Sequence, residues 1–301
     1  MADPVGDLLA LLDIERLELD LFRGQSPDER ASQRVFGGQV IAQSLVAAYR
    51  TVPDDRTCHS LHAYFIRPGD PTVPIIYQVD HSRDGGSFTT RRVVAIQHGK
   101  QIFNMAASFQ TDEDSWEHQH KMPDVEGPEG LPELRERRMQ ILDKVPEAMR
   151  EDFTRERDIE IRDVDPLDLI HPEIADDRHN LWFRVSRPID VPPALHHCLL
   201  AYASDMSLLS SSYRPHGITW LNHKELMSAS LDHAMWFHRP FRADEWLLYV
   251  MYSPRLGGAR GLSHGHIFTR DGTLVVSCTQ EGLMRLATDR DIQGTPNTSK
   301  L

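Results

Sequence analysis

One phrase occurs twice in this 301-residue chain, and the repetition limits its architecture more than any other feature. HSLHAYFIRPG fills residues 59–69 and SASLDHAMWFHRPF fills residues 228–241. Laying Phe65 on Phe237 puts Tyr64 on Trp236, Arg67 on Arg239 and Pro68 on Pro240, each 172 residues apart. The same offset carries Gly85 and Gly86 onto Gly257 and Gly258. Upstream, AAYR ending at Arg50 meets SSYR ending at Arg214 at an offset of 164, which leaves a longer loop in the second copy. Downstream, QIFNMAAS from Gln101 meets LVVSCTQE from Leu274 at 173. Four anchors in one order, at so long a period, describe two structural units and not a solenoid, whose repeats run nearer ~20 to 50 residues.

Both copies have one element order. Val5 to Leu12 has helical character, and alternating Leu17, Leu19 and Leu21 predict a strand. After Gly37 and Gly38, Ile41, Leu45, Ala48 and Tyr49 recur at helical spacing over residues 39–50. Strand patterns follow near 58–66, 73–81, 88–98 and 101–110, with glycine at the turns. The second copy repeats this with a strand at LWFRVSR from residue 181 and a helix over 195–212. Its strands are predicted near 226–238, 245–254, 260–270 and 273–286. The class is therefore α+β, two β-α-β4 units, with each helix packed on an antiparallel sheet. Between them, residues 115–180 are charged and bounded by prolines, and read as a partly helical linker. The expected division is 1–114, linker 115–180, 181–290, and a flexible tail 291–301.

Composition narrows the partners. No apolar run approaches the ~18 residues of a membrane span, and the acidic start MADPVGD lacks the basic region of a signal peptide. Cys58, Cys198 and Cys278 are scattered and odd in number, which argues for a reducing compartment and against structural zinc. A net charge of -12 disfavours nucleic acid. Neither a metal nor a cofactor is expected: His264 and His266 share a strand face but lack a third ligand at a plausible spacing. Ser299, Lys300 and Leu301 spell a peroxisomal address, to be used in a eukaryotic cell, whereas a bacterial source implies the cytoplasm.

FGGQVIAQSL, HSLHAYFIRPG, RDGGSFTTRRV, SLDHAMWFHRPF and TQEGLMR together resemble the landmarks of the acyl-CoA thioesterase II family, over roughly residues 5 to 290. The resemblance implies a double hotdog, two units forming a pseudo-dimer with a continuous antiparallel sheet. It also implies hydrolysis of fatty acyl-CoA, of medium to long chain, to free acid and CoA, and assembly into a homodimer or homotetramer. Carried over by motif, the catalytic set is Asp205 in YASDMSLL, Ser230 in SASLDH and Gln280 in TQEG. Family members with Thr in place of Ser230 hold the hydroxyl more rigidly.

The repeat adds an argument of its own. At the offsets above, Asp205 falls on Ile41, Ser230 on Cys58 and Gln280 on Ala107, so the polar residues belong to one copy only. Singly, each has a plainer reading, as a cap, a strand hydroxyl or an exposed amide. Asp205 nonetheless sits among Leu199, Leu200, Met206, Leu208 and Leu209, where an unpaired charge is expensive. The chemistry suits them. A thiol of pKa near 8.5 leaves far more readily than hydroxide, so attack on the carbonyl is the harder half. Asp205 and Gln280 can orient a water, with Ser230 in the same network and a helix-start N–H receiving the oxyanion. Attack by Asp205 itself, through a mixed anhydride, is the alternative route. His59 and His62 are rival bases. Arg67, Arg91, Arg92, Arg239 and Arg260 are available for CoA phosphates. Gly261-Leu262-Ser263-His264-Gly265 fits GxSxG, but it lies inside the strand expected over 260–270 and not at the strand-to-helix turn of a nucleophile elbow. A non-hydrolysing acyl-CoA binder and an enoyl-CoA hydratase are the competing functions.

Overall fold

In the computed structural model, residues 3–27, 34–219, 221 and 226–286 are described; the tail with its Ser299-Lys300-Leu301 ending lies outside them. The first unit runs α1 (Pro4–Leu12), β1 (Glu15–Glu18), β2 (Leu21–Gly24), α2 (Gly37–Tyr49), β3 (Thr57–Phe65), β4 (Ile75–Asp84), β5 (Phe88–Gln97) and β6 (Lys100–Gln110). Then come α3 (Leu134–Met139), α4 (Glu147–Thr154), β7 (Ile159–Asp163), β8 (His179–Val185) and α5 (Pro193–Ser204). The chain closes with β9 (Leu226–Ser230), β10 (Asp232–Phe237), β11 (Leu247–Gly257), β12 (Arg260–Thr269) and β13 (Leu274–Leu286).

All thirteen strands join one sheet in the order β1-β2-β4-β5-β6-β3-β10-β13-β12-β11-β8-β7, with β9 beside β13. Read outward from β3 and β10, the two halves mirror each other. At the centre, His62 lies opposite Ala234, its own counterpart 172 residues on, while Ser60 faces Trp236 and Tyr64 faces Asp232. Exchanging the units maps this pairing onto itself, so a pseudo-twofold axis passes here. Behind the sheet α2 packs on α5. Their closest approach is Gly38 to Tyr202, counterparts at the 164-residue offset: a Cβ on Gly38 would lie 2.3 Å from the Tyr202 carbonyl oxygen. Only glycine lets the helices meet.

Helix α2 is buried from Gly38 to Ala48. Each large apolar side chain so covered contributes about 1.5–3 kcal/mol. The buried amide of Gln43 is fully engaged, donating to the Leu11 and Gln25 carbonyls and accepting from the Tyr77 hydroxyl.

Three elements differ from the pattern-based expectation. The helix expected over 195–212 stops at Ser204, and a separate 3-10 turn spans Leu208–Ser212. The strand expected over 226–238 is interrupted at Leu231. The leucine alternation at 17–21 is a hairpin, with Leu19 exposed at its turn. The charged stretch between the copies also contributes β7, which pairs with β8 as the counterpart of β1. Its charges are internal to the sheet edge: Arg162 and Arg184 both pair with Glu160 and both lie over the Trp246 ring.

Candidate active site

The break in the second-copy helix falls at Asp205, which is the C-cap of α5. Serine and aspartate compete with the helix for backbone groups, and Ser204 Oγ lies 3.0 Å from the Ala201 carbonyl, within reach of it as a donor. A carboxylate at a helix C-terminus also stands at the negative end of the dipole. Asp205 is compensated from the other unit. Phe36, at the N-cap of α2, offers no side-chain cap, and the Gly38 N–H donates to the Asp205 carboxylate. The approach again demands glycine, since a Cβ on Gly37 would lie 2.6 Å from Asp205 Oδ2. Burial pushes the Asp205 carboxyl up to about 6, against the opposing pull of Gln280, Gly38 and Ser230. The residue as a whole is half-buried, while its carboxyl is desolvated by the surrounding protein.

Ser230 and Gln280 arrive from the sheet. Gln280 is buried, and its Nε2 donates to Asp205 Oδ1 at 2.6 Å and to Ser230 Oγ at 2.7 Å. Those contacts fix the orientation of the amide, because an oxygen in that place would face a carboxylate. Ser230 Oγ lies 3.4 Å from Asp205 Oδ1. The interruption at Leu231 brings Ser230 inward. In the first copy the equivalent residue, His59, is a β-bulge between the Cys58–Phe109 and Ser60–Ser108 pairs. A bulge lets residues three apart face the same side of a strand. Cys58 and Leu61 are accordingly both buried in the first copy.

The sequence-derived set is thus brought together, and its counterparts are not polar. Ile41, Cys58 and Ala107 are all buried in the core. The rival bases are elsewhere: His59 Nε2 bonds Ser108 Oγ, and His62 is exposed on the outer face of the sheet against the Trp236 ring. His264 and His266 bond Thr279 and Ser277. Of the arginines considered for phosphate, Arg91 is buried and held by Asp84 and Thr51, while Arg239 and Arg260 pair with Glu117 and Glu281.

Two adjoining cavities open beside the turn after α5, of about 480 and about 260 Å³. Met206 and Ser207, the residues following Asp205, line both, although Asp205, Ser230 and Gln280 are not themselves on the walls. The larger is lined by Leu134, Ile141, Ile161, Leu167 and Leu169 together with charged residues that include Arg137, Lys144, Asp163 and Arg214. The smaller has Phe36 and Tyr202 at one side and Arg135, Arg138, Arg155 and Arg157 at the other. These arginines escaped the sequence argument because the segment carrying them reads as a solvated charged face. Arg138 is the telling member: its guanidinium lies over Phe153, its Nε is buried without a partner among the described residues, and burial lowers its pKa.

Two β-α-β4 units sharing one antiparallel sheet, with a helix of each meeting at the axis, are a double hotdog. A structure from Alicyclobacillus acidocaldarius described as having a hot dog fold matches at a TM-score of 0.74 with 19% identity, over 96% of this chain and all of that one. Residues 149–283 match the family described as acyl-CoA thioesterase, and residues 26–110 match its N-terminal domain. Acyl-coenzyme A thioesterase 8 of Homo sapiens is 42% identical, covering 94% of this chain and 92% of its own length. The crystal structure of an acyl-CoA thioesterase II from Mycobacterium marinum is 44% identical, covers 92% of this chain and 98% of that one, and superposes at a TM-score of 0.76. The chain belongs to the acyl-CoA thioesterase family.

Proposed function

We propose that Asp205, Ser230 and Gln280 carry out hydrolysis of an acyl-CoA thioester, the reaction of this family, by activating a water molecule. The observation behind the assignment is the bonding of one amide to both a carboxylate and a hydroxyl, 2.6 and 2.7 Å away, in one unit only. A carboxyl raised to about 6 is a better base than an ordinary aspartate and is still ionised at neutral pH. Asp205 takes a proton from the water, whose oxygen attacks the thioester carbonyl. The tetrahedral oxyanion is met by first-turn amides of α2, aided by the helix dipole. Collapse expels the CoA thiolate, which takes the proton from Asp205, leaving the free acid. Gln280 holds the base and Ser230 in register, and the Ser230 hydroxyl, accepting from Gln280 and donating to Asp205 Oδ1, keeps a lone pair to accept from the water.

The competing functions account for less. A non-hydrolysing binder has no use for a desolvated carboxylate held by an amide and a hydroxyl, and a hydratase would want a histidine beside Asp205. On this reading residues 1–114 complete the pocket, 181–290 carry the chemistry, and 115–180 roof the cavities. The apolar residues of the larger cavity, Leu134, Ile141, Ile161, Leu167 and Leu169, suit an acyl chain of medium to long length, although Arg137, Lys144, Asp163 and Arg214 share its lining, and Arg135, Arg138, Arg155 and Arg157 of the smaller cavity suit the phosphates of CoA. Association of the chain as a dimer or tetramer through sheet surfaces belongs to the same proposal and is measured by light scattering. The test of the chemistry is thiol release from acyl-CoAs of graded length. Wild type releases CoA, and Asp205→Asn is expected to lose at least ~100-fold in kcat, the scale of a positioned acid-base group. An Asp205→Asn enzyme turning over at the wild-type rate removes the mechanism.

A further inference from the structure

Two buried atoms beside this site have no hydrogen-bond partner among the described residues: Gln280 Oε1 and His233 Nδ1. They belong to neighbouring strands. Ala234 pairs with Thr279, and one step along the same antiparallel register sets His233 across from Gln280. The corresponding pair in the first copy is Leu61 opposite Ala107, both apolar and buried. The interruption at Leu231 turns Ser230 and His233 to the same side, so that they flank Gln280. On its far side the His233 ring meets Ser204, with Nε2 3.0 Å from Ser204 Oγ. At the 164-residue offset Ser204 replaces Val40, which is buried in the first copy. The polar substitutions that separate the copies thus run past the three site residues, through His233 to Ser204.

We infer that His233 is a positioning residue: its neutral ring donates from Nδ1 to Gln280 Oε1 and so fixes the amide that holds Asp205 and Ser230. This rests on the role given to Gln280 above. The orientation of the amide is already set by its carboxylate neighbour, so Oε1 points at His233 and needs a donor. An acceptor nitrogen there would face an acceptor oxygen, which a buried pair does not tolerate. The Nδ1–H tautomer leaves Nε2 as an acceptor, so the single Ser204 proton turns from the Ala201 carbonyl, 3.0 Å away, to Nε2 at the same distance, and one hydrogen-bonded line then runs from Ser204 to Asp205. Burial keeps the ring uncharged at neutral pH by lowering its pKa to about 4, against a smaller opposing pull from the neighbouring Gln280. Gln280 Oε1 and His233 Nδ1 belong to facing residues of β13 and β10, and each is buried without a partner among the described residues. The contact is one that closes when substrate draws Gln280 tight, as catalytic hydrogen bonds often do.

The experiment has two arms. Long-range nitrogen NMR on wild-type protein reads the tautomer directly, without turnover. Nδ1–H is the expected form of His233, and Nε2–H overturns the inference. Kinetics supply the second arm. His233→Leu installs the first copy's residue, which that scaffold already accommodates, and should lower kcat roughly tenfold with KM little changed, the effect of one hydrogen bond lost. His233→Asn, whose amide nitrogen overlays Nδ1, should recover most of that loss. In a Gln280→Ala background, His233→Leu should cost nothing further, because groups acting as one unit are not additive. Equal losses in both backgrounds, or no recovery with Asn, leave His233 a packing residue and contradict the inference. If Gln280→Ala alone is fully active, it is the reading of Gln280 that fails, and the tautomer still stands as measured.

Discussion

The two units have matching strand orders and an irregularity at the equivalent residue, yet one irregularity lies in an apolar core and the other gathers the proposed catalytic groups. In the first, the bulge at His59 turns Cys58 and Leu61 into an apolar core around Ala107. In the second, the equivalent break turns Ser230 and His233 toward Gln280, and the helix breaks as well, at Asp205. The scaffold supplies the geometry, and a handful of polar substitutions turn it into a site. Asymmetry also has an electrostatic side. Asp205 is answered by the uncapped start of α2 and its glycines, whereas α5 begins well before the residues that correspond to that start, so Ile41 has no matching helix end.

The largest expected effect breaks the comparison from the inert side. Ile41→Asp should cost about 3–5 kcal/mol in denaturant unfolding and confer no second activity, since a charge there is buried without a partner. A stable Ile41→Asp protein means that the first copy can host a carboxylate after all. Gln280→Ala comes next, with kcat expected to fall on the order of 100-fold, the scale of a lost catalytic amide. Removing a proposed phosphate ligand should be milder and should register in KM. Arg138→Gln is expected to raise KM for acyl-CoA about tenfold with kcat unchanged, and added salt should narrow the gap. An unchanged KM points CoA to another face.

The smallest effect concerns stability. Because the folded state holds Asp205 protonated up to about 6, above the ordinary carboxylate value, it binds more protons than the unfolded chain between those limits. Stability attributable to Asp205 is therefore present at low pH and declines as pH rises from about 4 to about 6. Melting temperatures of wild type should fall relative to Asp205→Asn across that window and run parallel above it. A constant difference from pH 4 to 8 means the carboxyl is not perturbed.

Much of the fold and the site is legible in the sequence. The offsets of 172 and 173 reappear as strand registers, with Ala63–Met105 matched by Met235–Cys278, and the polar-for-apolar exchanges between the copies single out Asp205, Ser230 and Gln280. Backbone irregularities are not legible. LLAYASDMSLLSSS keeps helical periodicity straight through the break, and the contact that accompanies the break, the glycine start of α2 against Asp205 and Tyr202, is tertiary and leaves no local pattern. The bulge is invisible for a like reason, and without it His233 falls on the face away from Ser230. Strand β7 is hidden by its charges, which solvent would explain as well as Trp246 does.

The most direct measurement is the pH dependence of kcat for CoA release, in wild type and in Asp205→Asn. The account predicts that wild-type kcat rises with pH through an apparent pKa of about 6, the value at which Asp205 becomes a base, and that the limb is gone from the residual rate of the variant. A flat wild-type profile between pH 5 and 7, or the same limb surviving in Asp205→Asn, contradicts it.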